Sequence, residues 1–550
     1  MKKVKIITLI IVIICILLYE FGFCNLYNLL KGTYSFSLFR IIVYFTIILL
    51  CIFFSNKLIE KAIDTIKGKK KLIITYAIII FSYTLYLVGI KQEEFGRIVL
   101  VVMAELLGFL FIIYITKDYI QNIIVTTLTF GIMFSLTNTV FHIMDEKQHF
   151  NSALNLAYCN FDYIEEPLGD LKFNEIEQKT PMEHFIMGYS NVPYKMEMEE
   201  VEFDVKSVPM DYSPILYIPS AIGINIARLF NGTMLDVFIA GRITNLLAFS
   251  GMLILIFKLL PFKKNTFYCM YLLPQTIALA ASYSIDAITV GIIGIFIAYS
   301  LKIYKENKEG ISIKQFLILL GLFIICLLPK HGVYLAICLI VFILPIIKSI
   351  KKDKKIIILI IGIILVAGIL GGLKLNSITK NTSGDEKIPD TSPKLQMDFI
   401  VNNPNVLLYI YEECFNSTIF NLQYYEGLNL TYFMGEGWRV ISFFLFAFCL
   451  YTATNDGTYN FNKKEKLIFI VAFMANFFIG TMTLYLLHTP PYTIGINGYQ
   501  ARYLIPLLPL VLMCIHSNNT NNENNEEVYN FTTKNIGLFM LINLISQIMS

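Results

Sequence analysis

The sequence predicts an all-α, polytopic transmembrane helical bundle, and three observations carry that reading. Of the 550 residues 56% are hydrophobic and only 15% are charged, and the mean hydropathy is +0.64, a balance foreign to soluble domains. Apolar runs of about 18 residues or more recur from end to end, each able to cross roughly 30 Å of hydrocarbon as a helix. Single helices satisfy their own backbone in lipid, so isolated long runs mean helical spans.

The first run, "MKKVKIITLIIVIICILLYE", starts like a signal peptide, but no small-residue cleavage pattern follows and further spans come after it. It reads as an uncleaved first span. Runs follow near 38–55, 72–90, 98–116 and 120–141. The loop "NKLIEKAIDTIKGKKK" (56–71) is strongly basic, whereas 24–37 carries a single lysine. Basic loops stay in the cytoplasm, so the fifth run ends on the outer side, just before Asp145.

The stretch "YSPILYIPSAIGINIARLFNG" (212–232) is short and broken by two prolines. If it crossed, the basic loops "PFKKN" (261–265), "KIYKENKEGISIK" (302–314) and "KSIKKDKK" (348–355) would all lie outside. Laid along the outer interface, or re-entering, it puts them inside together with "NKKEK" (462–466), and that reading is preferred. Further spans are expected near 235–260, 266–283, 286–303, 313–329, 332–348, 356–374, 440–455, 466–487 and 501–516. With a C-terminal transmembrane helix over 533–550 this makes roughly 14–16 crossings. The asparagine-rich tract within 517–532 reads as a low-complexity linker. Outer polar surface is expected at 142–212, 375–438 and 488–500.

Composition excludes several classes. The ten cysteines form neither CxxC pairs nor metal-ligand spacings, so no disulfide framework or zinc site is indicated. A net charge of +4, with lysines clustered in short loops, fits topology signals and argues against a nucleic-acid partner. No P-loop, GxSxG, HExxH or GxGxxG is evident, which removes the usual support for ATP-driven transport and soluble hydrolase chemistry.

Four clusters fall at the outer ends of spans. In "FHIMDEKQHF" (141–150) two adjacent acids close an apolar run. Neighbours on a helix point about 100° apart, so only one of Asp145 and Glu146 can aim into a given pocket. Asp145 is expected to be that one, partly desolvated and suited to act as general base, with His149 beside it. In "SYSIDAITV", Asp286 sits in a tight turn, as an N-cap of the next helix or as a second carboxylate for an acceptor hydroxyl or a divalent cation, Mg or Mn. In "LLPKHGVY", Lys330 and His331 interrupt an apolar hairpin on the side where lysine is disfavoured, which suggests an anionic ligand such as phosphate. In "GINGYQARYLIPLLPL", Arg502 opens a span, preceded by Tyr499 and Gln500, and an arginine there can hold a phosphate.

With those clusters in view, the chain resembles the C-type (GT-C) membrane glycosyltransferases, polytopic enzymes that take sugars from polyprenyl-linked donors. "MDEKQHF", at the end of a span and opening a long outer loop, is similar to that superfamily's first outer loop. The proline-marked stretch from 212, followed by Arg242 near the start of the next span, resembles the segment after it. More closely, "YSPILYIPSAIG", "GRITNLL", "LLPQTIALAASYSIDAIT", "LLPK" and "GYQARYLIPLLPL" are similar to one bacterial family of predicted membrane proteins of unknown function grouped with that superfamily. The resemblance divides the chain into additional N-terminal helices (1–119) and a GT-C-like domain (120–516).

It implies a glycosyltransferase of the cell (plasma) membrane, working on the extracytoplasmic face. Asp145 or Glu146 would be the catalytic acid, and Asp286 the second acidic position. Lys330, His331 and Arg502 would hold the donor phosphate. The partners implied are a polyprenyl-phosphate-linked sugar, a cell-surface glycan, polymer or lipid acceptor, and the bilayer. "SIDAI" carries one acid where diphosphate-donor members carry two, which favours a monophosphate donor and puts a metal in doubt. The alternatives are a surface polysaccharide polymerase or ligase, and a transporter or flippase of lipid-linked glycans. The last would need charge near the bilayer midplane, for which Glu105 is the clearest candidate.

Overall fold

A computed structural model describes residues 2–18, 20, 38–91, 95–138, 143, 145–159, 212–232, 234–307, 310–344, 391–418, 438–517 and 524–549. Every regular element among them is helical. In chain order the α-helices are α1 Lys2–Leu17, α2 Leu38–Gly68, α3 Lys70–Lys91, α4 Phe95–Tyr114, α5 Tyr119–Thr137, α6 Glu146–Ala157, α7 Pro214–Leu229, α8 Met234–Leu259, α9 Lys264–Tyr271, α10 Pro274–Ala280 and α11 Ile285–Glu306. They continue with α12 Ile313–Cys326, α13 Pro393–Asn402, α14 Val406–Thr418, α15 Trp438–Asn455, α16 Lys463–His488, α17 Leu508–Met513 and α18 Asn524–Met549.

The described residues carry fewer span-length helices than the roughly 14–16 crossings expected of the whole chain. Among the described residues four are both long and apolar enough to cross a membrane: Tyr119–Thr137, Asp236–Leu259, Ile285–Glu306 and Lys463–His488. At two of the expected spans proline divides the apolar run. The expected span 266–283 is cut into α9 and α10 at Pro274, which lacks the N–H to continue a helix and starts the next one instead. The expected span 501–516 becomes a 3-10 turn, Ala501–Leu504, and the short α17, with Pro506 and Pro509 between and within them. The run at 332–348 winds as a 3-10 stretch over Leu335–Ile343. The expected span 356–374, and most of the outer loops 142–212 and 375–438, lie outside the described residues.

Local chemistry sets the helix starts. Asp118 accepts from the Ile120 amide to cap α5. Ser312 with Gln315, and Asn462 with Glu465, form reciprocal capping boxes at α12 and α16. α7 obeys the expectation of a short proline-marked helix. It exposes Ile215, Ile218, Ile222 and Ile226 along one stripe and buries Ser220, Ala221, Gly223 and Ala227 on the other. The linker expected over 517–532 is corrected in its second half: α18 already runs from Asn524. Glu526 and Glu527 sit in its first turn, where the helix dipole favours acids, and Val528 and Tyr529 are buried.

The chain divides into two compact units: Met1–Ile254 with Tyr271–Ile288 and Glu526–Ser550, and Leu255–Met270 with Thr289–Asn525. In the second unit three of the basic loops come together, and the fourth, 348–355, lies outside the described residues. The fully buried Lys263 donates to the Asp456 carbonyl at 2.7 Å and to Ile515 at 3.3 Å. The Asp456 carboxylate receives the Thr266 amide at 2.9 Å, and Tyr304 donates to Glu465 at 2.5 Å. Loops 261–265, 302–314 and 462–466, expected on one side of the membrane, therefore do meet.

Candidate functional site

α5 ends at Thr137 and leaves its last carbonyls without helical partners. α6 starts at Glu146, where the first-turn amides favour an acid. Between these two ends stands Arg242, from the first third of α8, fully buried. Its Nη1 donates to the carbonyls of Ser135 at 3.1 Å and Asn138 at 2.8 Å. Its Nε and Nη2 donate to the two carboxylate oxygens of Glu146 at 2.8 and 2.7 Å. One guanidinium thus closes the negative end of one helix and pairs with the acid at the positive end of the next.

A second contact fixes the carboxylate. The Tyr283 amide donates to Glu146 Oε1 at 3.2 Å. The Tyr283 hydroxyl donates to the Phe238 carbonyl at 2.9 Å, one turn before Arg242 on α8, and its ring meets Phe150 of α6 edge-on. The hydroxyl is buried and serves as a donor. Asp286, three residues on, is buried in the first turn of α11. It is not the N-cap that the turn suggested; Ser284 precedes the helix and accepts the Asp286 amide at 3.2 Å.

The expectation that Asp145 turns inward is corrected. Glu146 is 1% exposed, whereas Asp145 faces solvent. The helix begins one residue later than the argument from helical spacing assumed. Asp145 is the residue before it, with φ 63° and ψ 9°, the left-handed region, and its side chain does not cap α6. Its carbonyl still accepts the His149 amide at 3.0 Å. His149 is buried, with Nδ1 3.1 Å from the Tyr217 hydroxyl and its ring between Tyr212 and Tyr217.

The remaining expected residues belong to the second unit, where Tyr503 gathers them. Lys330 Nζ lies 3.7 Å from the centre of the Tyr503 ring and the Arg502 guanidinium carbon 5.7 Å from it. Both cations are buried, at 8% and 4% exposure. Lys330 is held in the left-handed region, φ 48°, on the 3-10 turn Pro329–Gly332, which also carries His331. Tyr334 donates to the Tyr503 carbonyl at 3.0 Å. Gln500 is buried beside Arg502, and Tyr499 packs edge-on to both Phe477 and Tyr503.

The loop before Arg502 is tied down. Gln396 of α13 donates to the Pro490 carbonyl at 3.2 Å and accepts the Tyr492 amide at 3.0 Å. Tyr485 donates to the Thr493 carbonyl at 3.0 Å. Gly495 and Gly498, at φ 131° and 78°, supply turns that an L side chain resists.

A divalent cation does not fit at Glu146, because both its oxygens are already engaged by the Arg242 guanidinium. No group of three His, Cys, Asp or Glu among the described residues is placed to hold a metal ion. Sequence reasoning missed Tyr283 and Tyr503, although each stands beside a residue it singled out, in "SYSID" and "QARYL". A tyrosine in an apolar chain gives no signal until its ring is seen against a cation.

Long apolar helices with charge buried at their ends define an integral membrane protein of the helical class. Residues 128–511 match the family model described as "Predicted membrane protein (DUF2142)", and the chain belongs to that family. No curated protein matches the chain, and no solved structure does. The matched region contains Asp145, Glu146, Arg242, Asp286, Lys330 and Arg502, and leaves α1–α4 and α18 outside it.

Proposed function

We propose that the chain is an integral membrane glycosyltransferase that transfers a sugar from a polyprenyl-monophosphate donor to a cell-surface glycan, polymer or lipid on the extracytoplasmic face. The observation that carries this reading is the division of labour between two adjacent acids. Glu146 is locked by Arg242 and the Tyr283 amide, and Asp145 is turned to solvent from the same helix start. The first is built to hold shape. The second is built to meet a ligand.

In this reading Asp145 takes the proton from the acceptor hydroxyl as that oxygen attacks the anomeric carbon. The bond from that carbon to the phosphate oxygen breaks, and the phosphate leaves with the electron pair. The resemblance assigns the departing phosphate to Lys330 and Arg502, two cations buried within the second unit, where their charge is little screened. The cation–π contact with Tyr503 orients Lys330 without neutralising it. Asp286 and His149 share the unit of Asp145, and His331 follows Lys330 on the turn Pro329–Gly332.

The test is transfer by the purified full-length chain in proteoliposomes, supplied in turn with polyprenyl-monophosphate and polyprenyl-diphosphate sugars, with release of labelled sugar from the lipid extract as readout. Release from monophosphate donors is expected, abolished by Asp145→Asn and with weakened donor affinity in Arg502→Ala. Full activity of a folded Asp145→Asn removes Asp145 as the base. Preference for diphosphate donors overturns the donor class, and no release from any donor overturns the reading.

A further inference from the structure

The C-terminal helix α18 begins beyond the last residue of the family match at 511, yet it is seated along its length in the unit that holds Glu146 and Arg242. Glu526 pairs with Lys117, Asn122 with the Tyr529 hydroxyl, and Tyr76 with the Lys534 carbonyl. Gly537 admits the ring of Phe111, and Leu541 fills the space over Gly108, close approaches that a Cβ at either glycine would obstruct.

At its far end Gln547 donates from Nε2 to Asn138 Oδ1. Asn138 is fully buried and terminates α5 in extended conformation, φ −63° and ψ 126°. Its carbonyl receives Arg242 Nη1 at 2.8 Å. The Asn138 amide still bonds the Phe134 carbonyl at 3.1 Å, but its own carbonyl lies past the helix end with no helical partner to aim it, so a tether on its side chain bears on where that carbonyl points. The sequence is continuous: Gln547 holds Asn138, Asn138 holds Arg242, and Arg242 holds Glu146 next to Asp145.

We infer that Gln547 is a positioning residue for the Arg242–Glu146 pair, and through it for Asp145, which makes α18 a working part of the site. Only the effect on transfer rests on the glycosyltransferase reading; the positioning itself does not. The chemistry requires a donor at Gln547, so Gln547→Met, which keeps length and apolar packing but cannot donate, separates positioning from packing.

The experiment is hydrogen–deuterium exchange on the full chain in nanodiscs, comparing wild type with Gln547→Met, Asn138→Ala and the double variant. Gln547→Met is expected to exchange several-fold faster at the Glu146 and His149 amides, which bond to Ile143 and Asp145, with exchange over 528–540 unchanged. The double variant should exchange no faster than Asn138→Ala alone, because the two residues act in series. Unchanged exchange at 146–149 in Gln547→Met, or fully additive effects in the double variant, overturns the inference. Where exchange responds as expected and wild type transfers no sugar, the positioning stands and the glycosyltransferase reading falls; where transfer is seen, Gln547→Met should lower its rate with donor affinity kept.

Discussion

Glu146 and Arg242 meet edge to edge, Nε to Oε1 at 2.8 Å and Nη2 to Oε2 at 2.7 Å, with both side chains wholly withdrawn from solvent. The fork geometry of guanidinium and carboxylate gives two parallel bonds, and Arg242 spends its remaining donors on the end of α5. Three chain segments far apart in sequence, at 135–146, 242 and 283, are therefore joined through one side chain.

Removing one partner leaves a buried charge without compensation. Arg242→Ala and Glu146→Gln should each destabilise the fold by about 3–5 kcal/mol, read as a large drop in thermal unfolding temperature in detergent. Replacing both with apolar residues of similar volume should recover much of the loss. Arg242→Ala melting within about 0.5 kcal/mol of wild type would show that the pair is a surface-like ion pair without structural weight.

Asp145 occupies the left-handed region at φ 63°, which costs a non-glycine residue roughly 1–2 kcal/mol, eased for Asp and Asn. Asp145→Gly should keep or raise stability by up to about 1 kcal/mol, while Asp145→Val should lower it. In the proposed reaction both lose transfer. Parallel melting and transfer measurements decide: a glycine variant that is less stable than wild type means the backbone strain is not where the structure puts it.

Gly241 lies against the Tyr283 ring, so that a Cβ there would overlap the ring atoms and hydroxyl. The ring has nowhere to go, fixed by its bond to Phe238 and its edge contact with Phe150. Gly241→Ala should cost roughly 1–3 kcal/mol as overpacking, and it should displace the Tyr283 amide from Glu146. Tyr283→Phe removes the hydroxyl bond alone and should cost about 1 kcal/mol. Equal melting of Gly241→Ala and wild type would contradict the close approach.

Hydropathy and loop charge were enough to read the helical membrane class, the short proline-marked α7 and the meeting of loops 261–265, 302–314 and 462–466, because these follow from burial and desolvation, which composition records. The charged residues of the candidate site were also nameable, since charge in an apolar chain is conspicuous. What could not be read was direction. Whether Asp145 or Glu146 turns inward depends on the residue at which α6 begins, and a shift of one position exchanges their roles. The divided spans at Pro274 and Pro509 were legible in principle, but hydropathy averaged over a window conceals a missing N–H. Gln547 carried no signal, since a polar residue near a chain end looks solvated until its partner is known.

Lys69, in the turn between α2 and α3, donates to the carbonyls of Ile112 at 3.3 Å and Ile115 at 2.7 Å, closing the end of α4. Burial first, and the nearby Lys534 second, bring its ammonium from an ordinary 10.5 down to about 8. The folded chain therefore releases this proton more readily than the unfolded chain. Below pH 8 the group is charged in both states and opposes folding by its full penalty. As pH rises from about 8 to 10.5 the folded form loses the proton while the unfolded form keeps it, and the penalty fades. Lys69→Met has no such proton, so the stability of wild type relative to the variant should rise with pH across that interval. Thermal unfolding of both proteins at matched ionic strength isolates the effect from other titrating groups. A difference that is flat between pH 8 and 10.5, or that falls, would show Lys69 to be an ordinary solvated lysine and would remove it as the cap of α4.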